Sequence, residues 1–179
     1  MKRGGSIEAD AARAVGRAAT VPRGPRPLLT LERSYRARLA CVWALWTTPA
    51  GLESWWGPEG FSVRIEHLDL RPGGEWRYSL TAASPAMAAL LRQARMPLTT
   101  RVCANYTEVS RHRRIRYTNL IDFIPGVPPY ELAVLIELHA TGDEVLVVLS
   151  FDAMHDESWT QRARAGWESQ LGRLALRLV

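Results

Sequence analysis

The sequence lacks the features that would place it in a membrane or a secretory pathway. No apolar run approaches the roughly 20 residues that a membrane-spanning helix requires. The basic N-terminus is not followed by the apolar stretch of a secretory signal. The two cysteines, Cys41 and Cys103, each lie in an apolar-patterned segment, which is typical of buried free thiols. We therefore expect a cytoplasmic protein without stable membrane insertion and without a disulfide.

Common catalytic motifs are also missing. The four histidines (His67, His112, His139 and His155) are scattered, and two cysteines provide no metal-ligand spacing. The segment 72–74 (PGG) has the composition of a turn rather than of a phosphate-binding loop, and no Gly-x-Ser-x-Gly segment is present. The sequence therefore predicts neither a metal ion nor another cofactor.

Charge is concentrated at the N-terminus. Residues 1–27 hold six basic and two acidic groups, whereas the remaining residues hold 17 basic and 16 acidic groups, giving +4 and +1 of the net +5. The first 27 residues show no apolar periodicity, so they are predicted to be a disordered basic extension. Because a nucleic-acid site needs a clustered basic face, the nearly neutral remainder predicts no nucleic-acid binding.

The pattern becomes regular from residue 28. Leu39, Val42, Trp43 and Trp46 recur with helical spacing, and Thr48-Pro49 caps a second short helix. Apolar residues from Trp159 to Leu178 mark one stripe of a long C-terminal helix. The predicted strands are 28–36, 60–70, 74–82, 99–109, 113–121, 130–140 and 144–152.

This order of elements predicts an α+β fold. A curved antiparallel sheet of about seven strands would wrap around the long C-terminal helix, with two short helices between the first two strands. The sheet must cover its apolar face, and the long helix is its cover. A hollow remains between the two wherever inward-facing side chains do not fill the space.

Four short motifs resemble the SRPBCC superfamily. They are 43–49 (WALWTTP), 55–58 (WWGP), 69–74 (DLRPGG) and 166–167 (GW). More narrowly, they are similar to the branch related to the C-terminal domain of the activator of heat-shock protein 90 ATPase. START lipid-transfer domains and polyketide cyclases belong to the same superfamily. The resemblance implies a helix-grip domain over residues 28–179 with a ligand cavity. The residue pattern itself predicts a helical insert in this domain near 84–96.

Strand parity predicts which side chains face the interior. The inward positions are mainly apolar, with several aromatic and polar tips, a mixture that suits a pocket for an apolar molecule. The alternative is that these side chains simply fill a solid core. The predicted ligand-binding residues are Trp56, Trp76, Tyr78, Tyr106, Tyr117, Phe123, Met154 and Trp167.

Three loops are expected at one end of the sheet, because alternate loops of a meander share an end. These loops are 83–98, 122–129 and 152–156. The first contains a short amphipathic helix whose Met87, Leu90 and Leu91 are predicted to form a lid over the cavity. The alternative is that this helix packs on the sheet edge.

Catalytic candidates come from the same end. Asp122, His155 and Asp156 are expected to converge, and a histidine beside carboxylates can act as a general acid–base pair. Alternatively, Asp156 or Ser158 caps the last helix. Glu108 is a further candidate, which on unbroken parity shares the inward face of its strand.

The favoured function is therefore the binding of a small hydrophobic or lipid-like molecule in an internal cavity. A polyketide cyclase-like or hydrolase-like enzyme that acts in the same cavity is one alternative. A co-chaperone or protein-interaction domain is the other. The sequence leaves the oligomeric state open, including a homodimer.

Overall fold

A computed structural model describes residues 24–124 and 126–178 of the chain. Seven strands and four helices follow one another in the predicted order, which confirms the α+β fold. The strands are β1 (Leu28–Arg36), β2 (Phe61–Leu68), β3 (Glu75–Ala82), β4 (Thr99–Ser110), β5 (Arg114–Ile121), β6 (Tyr130–Thr141) and β7 (Glu144–Asp152). The helices are α1 (Leu39–Thr47), α2 (Pro49–Trp55), α3 (Pro85–Gln93) and α4 (Glu157–Ala175).

All seven strands form one antiparallel sheet in the order β1-β7-β6-β5-β4-β3-β2. Register shifts between Ile65 and His67 in β2 and between Tyr106 and Glu108 in β4 interrupt the ladders. Such bulges bend a strand and increase its twist. The curved sheet therefore has one concave face, which α1, α2 and α4 cover.

The two short helices follow from local capping. Thr48 Oγ1 accepts a hydrogen bond from the Gly51 N–H at 3.0 Å, and Pro49 starts α2. Trp55 and Leu52 are fully buried, and the Trp55 indole donates to the Leu45 carbonyl at 2.9 Å. These contacts hold α2 against α1 and direct Trp56 into the interior.

Helix α4 lies along the concave face. Asp156 is its N-cap and accepts a hydrogen bond from the Trp159 N–H at 2.7 Å, so Asp156 rather than Ser158 is the cap. Trp167, Leu171 and Leu174 are buried against the sheet. The Tyr35 hydroxyl on β1 donates to the Leu171 carbonyl at 2.8 Å. Sheet and helix together form the predicted helix grip.

The predicted extension lies mostly outside the described residues, because the description begins at residue 24. The last residues assigned to it already belong to the domain. Arg26 binds the Glu131 carbonyl and Asp152, and the Pro27 carbonyl accepts a hydrogen bond from the Ala153 N–H at 2.7 Å. The packed part of the chain therefore begins before the predicted boundary at residue 27.

Cys41 and Cys103 are both free thiols, as predicted, although each is half-buried rather than fully buried. The Cys103 thiol donates to Glu75 Oε1 at 3.0 Å. Among the described residues, no helix is long and apolar enough to cross a bilayer.

Candidate ligand pocket

One half of the interior between sheet and helix is filled by aromatic side chains. Trp55, Trp76, Tyr106 and Tyr117 are each at most 2% exposed. The Trp76 ring stacks on Tyr106 with centroids 6.1 Å apart and meets Tyr117 edge-on at 5.3 Å. Aromatic pairs at these separations stabilise one another beyond simple area burial. These aromatic side chains therefore pack against one another in this half of the interior.

The other half contains a cavity of about 320 Å³, which we call the helix–sheet pocket. Its floor consists of side chains from β3, β5 and β6, and its roof is the N-terminal part of α4. The β5–β6 loop and the segment before α4 contribute Phe123 and Met154. Most of the lining is apolar, as in pockets that enclose small organic ligands.

Two polar side chains lie in the floor. Burial raises the pKa of Tyr78 to about 12, and its hydrogen-bonding contact with Trp56 only partly opposes this effect. Tyr78 therefore remains a neutral phenol at physiological pH. Asn119 lies between Ala104 and Leu132 of the neighbouring strands, and its Oδ1 is buried without a hydrogen-bond partner among the described residues. A buried acceptor of this kind requires water or a ligand donor.

Trp56 and Trp167 form the wall between the two halves. Their ring centroids are 5.3 Å apart and their planes are nearly perpendicular. Both are under 10% exposed, and both line the pocket. Both tryptophans, which are among the predicted ligand-binding residues, therefore border the pocket.

The turn after Trp56 joins this wall to α4. Gly57 has φ of +87°, and a Cβ there would lie 2.7 Å from Val63 and 3.0 Å from Leu80, so the position requires glycine. Its N–H donates to Gln170 Oε1 at 3.2 Å, and its carbonyl accepts from Arg173 at 2.6 Å. These two bonds fix the separation between the sheet and α4.

Small residues of α4 create the space under the roof. Ala163 and Gly166 lie between the bulky Trp159 and Trp167 on the sheet-facing side. A Cβ on Gly166 would meet no atom within 4 Å. The apolar stripe predicted from Trp159 to Leu178 gave no pocket role to Ala163, Gly166 or the adjoining Arg162. The signal was present, because two small residues interrupt a stripe of large ones.

Five of the eight predicted ligand-binding residues line the pocket, namely Trp56, Tyr78, Phe123, Met154 and Trp167. Trp76, Tyr106 and Tyr117 lie instead in the packed aromatic half. Burial raises the pKa of Tyr106 and Tyr117, and the Tyr117 hydroxyl and Trp76 Nε1 have no partner among the described residues. Their parity was predicted correctly, but their bulk fills the space that they were expected to border.

The predicted lid helix exists as α3, capped by Ser84, whose Oγ accepts from the Met87 N–H at 3.1 Å. Leu91 is buried, whereas Leu90 is exposed. Met87 lies over Gly60, and a Cβ added to Gly60 would come 2.8 Å from the Met87 methyl group. None of these three residues lines the helix–sheet pocket in the described part of the chain. In this conformation α3 lies at the sheet edge and does not cover the pocket.

His155 lies beside the pocket rather than in its lining. Its side chain is 2% exposed. Nδ1 lies 3.1 Å from the Tyr130 hydroxyl, and Nε2 lies 3.4 Å from an Asp156 carboxylate oxygen. Burial is the main cause of the raised pKa of Tyr130. The predicted pairing of His155 with Asp156 is present. Because His155 also contacts Tyr130, the three residues connect β6 with the N-terminus of α4.

Asp122 does not join this pair. It is exposed and borders a shallow hollow with Arg77, Cys103 and Leu120. The expected convergence of Asp122 with His155 and Asp156 is therefore wrong. Asp122 follows the end of β5, where the chain leaves the ladder and alternation no longer fixes the direction of a side chain.

The expectation that Glu108 faces inward is also wrong. The bulge after Tyr106 pairs Glu108 with Arg116, so parity reverses and Val109 faces the core instead. Glu108 and Glu137 both bind Arg114 on the outer face, at 3.4 and 2.7 Å. The hydrogen bond that Arg114 donates to Glu137 is the main cause of the raised pKa of Arg114. Glu108 is thus part of a surface ion-pair network.

No group of three or more potential metal ligands is found within residues 24–124 and 126–178. Four further surface hollows in this part of the chain are not walled by both the sheet and α4. The helix–sheet pocket is therefore the candidate functional site.

Comparison with known proteins agrees with this architecture. A family model described as "Activator of Hsp90 ATPase homolog 1-like protein" matches residues 36–178. No functionally curated protein matches the sequence.

Solved structures with the same fold share little sequence with the chain. A protein from Chromobacterium violaceum is 22% identical with a TM-score of 0.70, over 84% of this chain and 96% of its own. The AHSA1 protein from Silicibacter pomeroyi is 22% identical with a TM-score of 0.66, over 85% and 97%. CalU16 from Micromonospora echinospora is 18% identical with a TM-score of 0.57, over 84% and 75%. At these identities the likeness concerns the fold alone.

Proposed function

The chain belongs to the family of activator of Hsp90 ATPase homolog 1-like proteins, and we propose that this member binds a small hydrophobic molecule in its helix–sheet pocket. The observation that carries the proposal is the open space beneath α4. Gly166 and Ala163 leave room there, while Trp56, Trp167 and Met154 provide an apolar wall.

The volume limits the size of the guest. An apolar cavity of about 150 Å³ accommodates benzene, and the pocket has about twice that volume at about 320 Å³. It is near the lower end of the range of about 300–1,000 Å³ that is usual for ligand sites. A two-ring compound or a short acyl chain fits this space, whereas a diacyl lipid exceeds it.

Neutral hydrogen-bonding groups would orient the guest. Tyr78 presents a phenol, and Asn119 presents an unpartnered amide oxygen. An apolar pocket with a few polar groups gains affinity from burial and selectivity from those groups. The two free thiols support placing this binding function in the cytoplasm, where thiols stay reduced.

Titration calorimetry with 2-acetonaphthone, a neutral two-ring ketone, tests the proposal. Gly166→Leu places a side chain in the pocket from a position where an added Cβ would meet no atom within 4 Å, whereas Ala165→Leu adds the same side chain one position away, on the exposed face of α4. We expect binding to the wild type and to Ala165→Leu, and at least tenfold weaker binding to Gly166→Leu. No binding to the wild type, or equal binding to both variants, would contradict the proposal.

A further inference from the structure

The helix–sheet pocket has one charged side chain in its lining, Arg162. It lies on the roof, at the exposed rim, with its guanidinium carbon 5.3 Å from the centroid of the Trp159 ring. A guanidinium over an indole face is held in place by a cation–π interaction. The charge is therefore positioned at the mouth of an otherwise uncharged pocket.

The other three arginines of α4 and its C-terminal turn have partners. Arg164 binds Glu168 at 3.1 Å. Arg173 donates to the Gly57 carbonyl at 2.6 Å, and Arg177 donates to the Ser54 carbonyl at 2.9 Å. The bonds of Arg173 and Arg177 join the C-terminal end of α4 to segment 54–57, and the ion pair of Arg164 with Glu168 lies on the exposed surface of α4.

Arg162 differs from them, because no carboxylate or carbonyl within the described residues binds it. Its helical neighbours three and four positions away are Ser158, Trp159, Ala165 and Gly166, none of which is acidic. Its five N–H donors suit a planar oxyanion. The remaining contact is with an aromatic ring, which leaves these donors free.

We infer that the ligand is an amphipathic organic anion, whose carboxylate or similar oxyanion binds Arg162 at the rim while its apolar body occupies the pocket. The inference rests on the proposed function and adds the charge of the guest to it. Asn119, on the opposite wall, accepts a hydrogen bond from a hydroxyl or N–H group of the same guest. One polar group on the helix and one on the sheet would thus fix the orientation of the guest.

The expected effect is moderate, because Arg162 is exposed and water screens its charge. Exposed ion pairs and charge-assisted hydrogen bonds contribute modestly to affinity. We therefore expect a preference of about three- to tenfold for an anionic over a neutral guest of the same shape.

The test compares 2-naphthoate with 2-acetonaphthone by calorimetry at pH 7 and low ionic strength. The two compounds share the ring system, and only the first is charged. We expect the wild type to prefer 2-naphthoate, and the preference to shrink as salt is added. Arg162→Gln should remove the preference, because it lowers the affinity for 2-naphthoate more than that for the ketone, and Arg162→Lys should keep part of it. Arg164→Gln, on the same helix but outside the lining, is the control and should behave as the wild type.

The outcomes separate the two proposals. Equal affinities of the wild type for both compounds, or a preference that survives in Arg162→Gln, would overturn the charge assignment and leave the pocket function in place. Failure of both compounds to bind the wild type would contradict the pocket function itself.

Discussion

The Gly57 carbonyl accepts a hydrogen bond of 2.6 Å from the guanidinium of Arg173. The bond connects the turn between α2 and β2 with the C-terminal half of α4. Together with the bond from the Gly57 N–H to Gln170, it sets how far the helix stands from the sheet. The Gly57 backbone therefore contributes to the position of α4 over the pocket, together with the bond from Tyr35 to the Leu171 carbonyl.

Replacement of Gly57 tests whether this position requires glycine. We expect Gly57→Ala to lower the free energy of unfolding by about 2–3 kcal/mol, because the positive φ disfavours any side chain and the new Cβ would collide with Val63. Gly73→Ala is the matched control, since Gly73 has φ of +81° and open space around its Cβ. It should cost about 1–2 kcal/mol from backbone strain alone. Urea unfolding measures the free energy of unfolding of both variants. Equal losses of stability would show that the contact between the new Cβ and Val63 is unimportant.

His155 is predicted to stabilise the fold rather than to act on a guest. His155→Ala removes the partner of the buried Tyr130 hydroxyl and the contact with Asp156. We expect a loss of about 1–3 kcal/mol in unfolding free energy and less than a threefold change in the affinity for 2-acetonaphthone. Tyr130→Phe removes the same hydrogen bond from the other side and serves as the comparison. A large loss of binding with unchanged stability would instead place His155 in the site.

Alkaline pH should destabilise the protein through its buried tyrosines. All five tyrosines have raised pKa values, and burial is the main cause in each: Tyr35, Tyr78, Tyr106, Tyr117 and Tyr130. Burial, followed by the hydrogen bond with Glu75, also raises the pKa of Cys103 to about 11. Lys2 is the sole lysine, so few other groups titrate in this range.

The sign follows from proton binding. Above pH 10 the unfolded chain loses tyrosine protons that the folded protein retains, so stability is full below pH 10 and falls as the pH rises. Each tyrosine contributes a slope of up to about 1.4 kcal/mol per pH unit. We expect no tyrosinate absorbance at 295 nm before unfolding, and a shallower slope in Tyr78→Phe. Tyrosinate appearing near pH 10 in the folded protein would show that these side chains are not buried as described.

The sequence was sufficient to predict the order of elements and most side-chain directions. Period-two alternation along β6 predicts that Leu132, Val134, Ile136 and Leu138 face inward, and all four are buried. The prediction for Glu108 was wrong because alternation predicts the direction of a side chain only in an unbroken ladder. A one-residue bulge reverses every later side chain of its strand, and the segment around Tyr106 carries no glycine that would have indicated it.

The outline of the pocket was less predictable. Whether Trp76 borders a cavity or fills it depends on ring positions set by Trp56, Tyr106 and Tyr117 together, which alternation does not describe. The pairing of His155 with Tyr130 joins residues 25 positions apart and depends on the path of the chain before α4. Arg162 was missed because a charged residue on an amphipathic helix is usually solvated.

Methionine methyl resonances test the location of the guest most directly. Met154 lines the pocket, whereas Met87 lies at the sheet edge with α3 and Met96 is exposed beyond it. Protein labelled with ¹³C at the methionine methyl groups, assigned by Met-to-Leu substitution, would be titrated with 2-acetonaphthone. We predict that the ring current of the guest shifts the Met154 methyl signal while the Met87 and Met96 signals remain in place. Saturable binding that shifts Met87 or Met96 and leaves Met154 unchanged would contradict a guest held between the sheet and α4.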